Sequence, residues 1–205
     1  GSEYSCETIS QNGKHDLLAI TTKYTTSEPH YIEIGHYEPS VLSENIILKI
    51  KDVLFRAFDL LGLENGAFHS EIIIDDKDEV FIIEIGARMG GDCIGSDLVY
   101  ISTGYDYMKM VIDVACGNDV ECNRGKNGKN EYAIIRFIMS EEDDIMLRAF
   151  EIQHPEWLYR KYHEVSTVGG KICSSVDRFG YYIFSMKSKS DFDVAREYLF
   201  AKSVR

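Results

Sequence analysis

The sequence predicts an α+β fold: a mostly antiparallel sheet with helices packed on it, followed by a small β-rich C-terminal subdomain. Three observations carry that expectation. Apolar residues alternate over short stretches, the period lengthens to three and four residues after Ser43 and again after Asp106, and strands and helices come in groups rather than alternating one by one.

Residues 3–10 and 15–24 read as strands joined at the turn signal Gln11-Asn12-Gly13, and Tyr31 to Ile34 as a third, short one. From Ser43 the apolar positions Ile47, Ile50, Leu54, Phe58 and Leu61 recur at helical steps, with Ser43 as N-cap and Gly62 as the stop. A hairpin is expected over 71–84, EIIIDDKDEVFIIE, and then ARMGGDCIGSDLVYISTG as a glycine-bearing loop leading into a helix. DYMKMVIDVACG reads as a further helix between Asp106 and Gly117, and 118–130 as a polar loop or linker. Beyond it, EYAIIRFIM and a pair of segments between Val165 and Met186 read as strands, with Gly169-Gly170 and Arg178-Phe179-Gly180 as turn signals. Glu141-Glu142-Asp143-Asp144 reads as exposed loop, and Ser190 as the cap of a final helix that buries Phe192, Ala195 and Leu199.

The chain of 205 residues is long enough for one sizeable domain or two small ones, and 44% hydrophobic residues suffice for a core. Thirty-four acidic against 22 basic residues give a net charge of -12, which repels nucleic acid phosphates and anionic membranes. No run approaches the roughly 18 apolar residues that cross a bilayer, and no signal pattern opens the chain, so a cytoplasmic location is the default expectation. Cys6, Cys93, Cys116, Cys122 and Cys173 form no CxxC pair and are expected as buried or free thiols. Gly1-Ser2 reads as a tag-cleavage scar, and the abrupt strand after it as the start of a fragment of a longer protein.

The hairpin carries the chemistry. With Asp76-Lys77-Asp78-Glu79 as its loop, Asp75 faces Val80, Ile73 faces Ile82 and Glu71 faces Glu84. Ile72, Ile74, Phe81 and Ile83 then line one face, and the two glutamates stand side by side on the other. Like charges across a ladder are destabilising, so a shared proton, a neighbouring Arg or Lys, or a divalent cation must offset them. Arg88 follows Glu84 by four residues, and Gly90-Gly91 precede a helix start, a combination that suits a phosphate beside a metal.

HSEIIID followed by FIIEIGARMGGD resembles the paired metal-binding strands of the ATP-grasp enzymes, in which a glutamate is followed about a dozen residues later by ExNxRxGG. EYSCETI, KYTTSEPHYIEIGHYEPS and the helix before GLENGAFHSE are similar to the run before those strands in the carboxylate-amine ligase branch, amino-acid ligase-like or carbamoyl-phosphate-synthase-like. The resemblance covers about 3–117, implied as the C-terminal lobe of the ATP-grasp domain, with 118–130 as linker and 131–205 as the subdomain. It implies that Glu71 holds one magnesium (or manganese), that Glu84 bridges two, and that Arg88 neutralises the transferring phosphoryl group, with Gly90 and Gly91 at the phosphates. Gly86 stands where most members have a metal-binding Asn, which leaves the second metal short of a ligand.

Glu7 falls where a substrate-side glutamate would lie or is a plain strand residue. His69 would orient a ligand, contact substrate or hydrogen-bond Glu71 from behind, and His36 is expected as a loop histidine that could face substrate. The implied reaction transfers phosphoryl from ATP to a small carboxylic acid, and an amine or similar nucleophile then attacks the acyl phosphate. The implied partner is an N-terminal lobe bearing the glycine-rich loop and its lysine. The alternatives are a noncatalytic ATP-grasp binding module and a biotin-carboxylase-like carboxylase.

Overall fold

The apolar stripe after Ser43 becomes an 18-residue helix, α1 (Glu44–Leu61), in the computed structural model, which describes residues 1–26, 28–122, 131–163 and 172–201. Ile46, Ile50, Leu54 and Phe58 recur every fourth residue and are its buried face. Ser43 accepts a hydrogen bond from the Ile46 N–H, and Gly62 closes the helix at φ 69°. A Cβ at Gly62 would meet nothing within 4 Å, so its requirement is one of backbone conformation alone. Gly62→Ala is therefore expected to lower the unfolding free energy by about 1–2 kcal/mol, the cost of a left-handed L-residue, with no packing penalty added; urea denaturation of the chain measures it.

The chain packs as two compact units. The first comprises 1–22 and 38–130. Its strands are β1 (Ser2–Gln11), β2 (Lys14–Thr25, as far as Thr22), β4 (Gly66–Ile74) and β5 (Val80–Gly86), hydrogen-bonded in the order β5-β4-β1-β2 and antiparallel at every pairing. β1 and β2 turn at Asn12 and Gly13, both with positive φ, as the turn signal requires. Alternate side chains of these strands (Cys6, Ile20, Phe68, Ile72 and Ile74) bury against Ile50, Leu54 and Phe58 of α1. Burying one such aliphatic or aromatic side chain contributes about 1.5–3 kcal/mol, which makes this layer the main support of the hairpin. After β5 the chain makes one π-helical turn (Ile94–Leu98), continues as α2 (Val99–Thr103), and forms α3 (Tyr107–Ala115), capped by Asp106 and followed by Gly117 at φ 76°.

The hairpin departs from regular alternation. Glu71 does face Glu84, but Ile72 faces Ile82, Ile73 faces Phe81 and Ile74 faces Val80, because a bulge at Ile83 adds one residue to β5. The loop is therefore 75–79. Val80 and Ile82 pack on the α1 core, whereas Phe81 and Ile83, expected on one face with Ile72 and Ile74, are exposed.

The second unit comprises 23–37 and 131–205, with β3 (Glu33–Glu38, up to Tyr37), β6 (Tyr132–Phe137), β7 (Leu158–His163) and β8 (Gly180–Met186) in the order β3-β6-β8-β7. Ile134, Phe184 and Met186 of the sheet bury against Leu147 and Phe150 of α4 (Glu141–Gln153) and Phe192, Ala195 and Leu199 of α5 (Lys189–Phe200). Three expectations are corrected. The acidic run 141–144 is the first turn of α4: Ser140 caps it, and its carboxylates lie at the positive end of the helix dipole. The cap of α5 is Ser188, not Ser190. The outer strand paired with β8 is β7, upstream of Val165; the expected strand start at Val165 and its glycines 169 and 170 fall outside the described residues. Among the described residues no helix is long and apolar enough to cross a membrane.

Candidate functional site

The pleat places side chains of three strands on the sheet face turned away from Cys6 and Ile72. Register partners form two rows across that face: Ser5, Glu71 and Glu84, and beside them Glu7, His69 and Gly86. The outer ends are open and the inner ones closed. Glu84 is exposed and the Glu71 side chain retains 27% of its exposure, whereas Glu7 has none and His69 is buried.

His69 stands between two carboxylates. Its Nδ1 donates to Glu7 Oε1, and its Nε2 lies 3.5 Å from Glu71 Oε1. Burial by itself would lower its pKa, but the hydrogen bonds and charges of Glu7 and Glu71 outweigh burial and raise it from 6.5 to about 9. The ring therefore offsets part of the charge at Glu71. Across the ladder, Glu84 has no ion-pair partner among the described residues.

Arg88 follows β5 on a tight turn, its N–H donating to Gly86 O at 2.8 Å. Its guanidinium is exposed, with Nη1 donating to Met89 O at 2.9 Å. The stem runs over Gly86, where a Cβ would lie 3.6 Å from Arg88 Cγ and 3.6 Å from His69 O. Position 86 thus offers no ligand, and the arginine covers its place.

The two glycines after Met89 differ. Gly91 is exposed, and a Cβ there would meet nothing within 4 Å. Gly90 is buried, and its N–H donates to Glu7 Oε2 at 2.8 Å. Asp92 and Cys93 follow at φ 50° and 62°, a left-handed pair costing about 1–3 kcal/mol per residue, the kind of strain that accumulates at binding loops.

Two carboxylates opposed across a ladder fit a magnesium ion, which is held by one or two protein carboxylates together with waters and substrate phosphates. Among the described residues no group of three or more His, Cys, Asp or Glu side chains is placed to hold a metal by itself, so any ion here would depend on such outside oxygens. Glu71 and Glu84 therefore oppose each other at an open edge, with Arg88 on the turn that follows β5. Glu7 and His69 lie behind them, and Gly90 closes over Glu7.

His36 is not in a loop. It lies in β3 of the second unit, 1% exposed, with its ring edge-on to Phe137 at 5.6 Å. Sequence reasoning also missed Glu38, a fully buried carboxylate that accepts from Thr21 Oγ1 at 2.6 Å and from Ser102 Oγ. Its partners come from β2 and α2, and nothing in the local sequence marks them as a set.

Comparison with known proteins bears on the family and the fold. The ATP-grasp domain family matches residues 1–97. Alanine–anticapsin ligase of Bacillus subtilis (strain 168) is 31% identical over 135 residues, 65% of this chain and 28% of that enzyme. Among solved structures, an L-amino acid ligase from Bacillus licheniformis superposes with a TM-score of 0.76 at 22% identity, covering 98% of this chain and 51% of that one. A phosphoribosylglycinamide synthetase from Anaerococcus prevotii gives a TM-score of 0.76 at 20% identity, over 98% and 52%. The chain spans about half the length of these structures and a smaller share of the curated ligase. Residues 1–97, across the strands that carry Glu7, Glu71 and Glu84, thus match the ATP-grasp domain family, and the fold of these two solved structures is shared over nearly all of the chain.

Proposed function

We propose that the chain is the metal-binding portion of an ATP- and magnesium-dependent ligase that phosphorylates a small carboxylic acid for attack by an amine. The opposition of Glu71 and Glu84 across β4 and β5, with Arg88 four residues on, is the observation that supports it. The similarity to alanine–anticapsin ligase favours amino acids as the acid and the amine. In this reading the ATP-grasp lobe spans 3–117, 118–130 connects it to the subdomain 131–205, and a further lobe of the same protein supplies the glycine-rich loop and lysine.

Glu71 and Glu84 would hold the magnesium, or manganese in its place, and Glu84 would bridge to a second ion for which Gly86 supplies nothing. The bound ion offsets charge on the β- and γ-phosphates. Arg88 would orient and neutralise the transferring phosphoryl group with two donors, and the open Gly91 lets backbone approach the phosphates. His69 holds Glu71 from behind. Catalysis is then positioning and electrostatics, with no side-chain nucleophile needed.

The test is phosphate release by the intact protein with magnesium-ATP and a panel of amino acids. Release that requires both an acid and an amine is the expected result. Nucleotide binding without any turnover across the panel would instead favour a noncatalytic binding module, for which the ligand-free position at Gly86 speaks.

A further inference from the structure

Glu7, a residue with no solvent exposure, uses both carboxylate oxygens on groups far away in sequence: Oε1 receives His69 Nδ1–H and Oε2 receives the Gly90 N–H at 2.8 Å. The buried Tyr107 hydroxyl donates to the neighbouring Thr8 carbonyl at 2.7 Å. A side chain so enclosed cannot touch a substrate. Its hydrogen bonds are charge-assisted, about twice as strong as neutral ones, and losing a partner would strand a buried charge.

The packing around Gly90 is equally specific. A Cβ there would lie 2.9 Å from His69 Nδ1 and 3.0 Å from Glu7 Cδ, and closer still to Glu7 Oε1. The anion that the Gly90 backbone approaches is therefore Glu7. Its N–H is already taken at good geometry, so no donor is left there for a phosphate. Gly90 is two residues beyond Arg88, and the Arg88 N–H is pinned to Gly86 O at 2.8 Å. Fixing Gly90 thus fixes both ends of the short loop that presents the arginine. Through His69, the same carboxylate sets the ring that faces Glu71.

We infer that Glu7 is a positioning residue, locking the His69 ring behind Glu71 and the Arg88–Gly90 loop through one buried carboxylate, and that position 90 is glycine to admit this carboxylate rather than a phosphate. The inference rests on the metal-nucleotide reading of Glu71, Glu84 and Arg88. It departs from the expectation that both glycines contact phosphate.

The experiment measures manganese binding in the presence of ATP by electron paramagnetic resonance, on the intact protein and on Glu7→Ala, Glu7→Gln, Gly90→Ala and the Glu7→Ala/Gly90→Ala double variant, each below its thermal transition. Glu7→Ala is expected to weaken binding about 10–100-fold, the range for residues that orient metal ligands. Glu7→Gln, which keeps an acceptor for the Gly90 N–H, is expected to recover much of that loss. Gly90→Ala alone is expected to weaken binding, yet to add much less in the Glu7→Ala background than in the unaltered protein, since the clash with Glu7 has gone and the His69 ring, released from Glu7, can give way. Independent, multiplying losses would show that Gly90 meets the nucleotide itself and would overturn the inference, as would Glu7→Ala binding like the unaltered protein. If Glu7→Ala does not fold, Glu7→Asp, which keeps the charge but withdraws it from Gly90 by one methylene, takes its place in the same cycle. Failure of the unaltered protein to bind manganese-ATP would instead bring down the functional reading, and this inference with it.

Discussion

Glu84→Gln in the intact protein is expected to cut ATP-dependent phosphate release by more than about a hundredfold, because even residues that merely orient a metal ligand contribute 10–100-fold. The folded state is expected to move the other way. Glu84 is exposed, directly opposite Glu71, and has no ion-pair partner among the described residues. Removing one of two like charges across a ladder stabilises by about 0.2–1 kcal/mol in the absence of metal. Thermal melting with a chelator and a phosphate-release assay therefore give opposite signs for one substitution. A variant that turns over ATP normally would rule out the metal role, and one that melts much earlier would mean that Glu84 has a structural duty instead.

Arg88→Ala is expected to lower phosphoryl transfer by roughly 10³-fold or more, as for other arginines that neutralise a transferring phosphoryl group. Its side chain hydrogen-bonds only the adjacent Met89 carbonyl among the described residues, so the melting temperature is expected to stay near that of the unaltered protein. Arg88→Lys keeps the charge but loses the planar fork and is expected to fall between the two. Manganese affinity separates this from the Glu84 case: it should collapse in Glu84→Gln and persist in Arg88→Ala. Turnover of Arg88→Ala within a few fold of normal would remove the arginine from the reaction.

Much of this architecture was legible because local signals and tertiary packing agree. The helical recurrence of Ile50, Leu54 and Phe58, the caps Ser43 and Asp106, the stops at Gly62 and Gly117, and the turn at Gly13 each follow from backbone conformation and one buried face, although Ile46 rather than Ile47 is buried and Leu61 is exposed. The opposition of Glu71 and Glu84 was also expected, but the count reached it from a loop one residue too short: outwards from Ile74 and Val80, it is the extra residue at Ile83 that brings Glu84 opposite Glu71. Where the count misled was in the apolar residues. VFII can bury either alternate pair, and only contact with α1 chooses Val80 and Ile82 over Phe81 and Ile83.

Long-range features left no mark in the sequence. Glu7 meets partners 62 and 83 residues away, and its pairing with Gly90 made a glycine that looked poised for phosphate part of the interior. His36 looked like loop because EIGHYEP contains glycine and proline, yet Gly35 is there for close approach: a Cβ would sit 2.5 Å from Ile135 O on the next strand. The acidic run 141–144 looked solvated for its charge alone, whereas Asp143 is held by Arg136 Nη2 at 2.7 Å. Charge patterns announce exposure only when no cation from another element waits for them.

The extra residue at Ile83 makes the two halves of the hairpin keep separate counts. On one side of it the ladder is tuned to the apolar layer over α1; on the other, to the glutamates. A change of one residue in the 75–79 tip can be taken up at that irregularity without moving either acid. The register at the base is thus set apart from that at the tip, and the distal end is free to vary while Glu71 and Glu84 stay opposed.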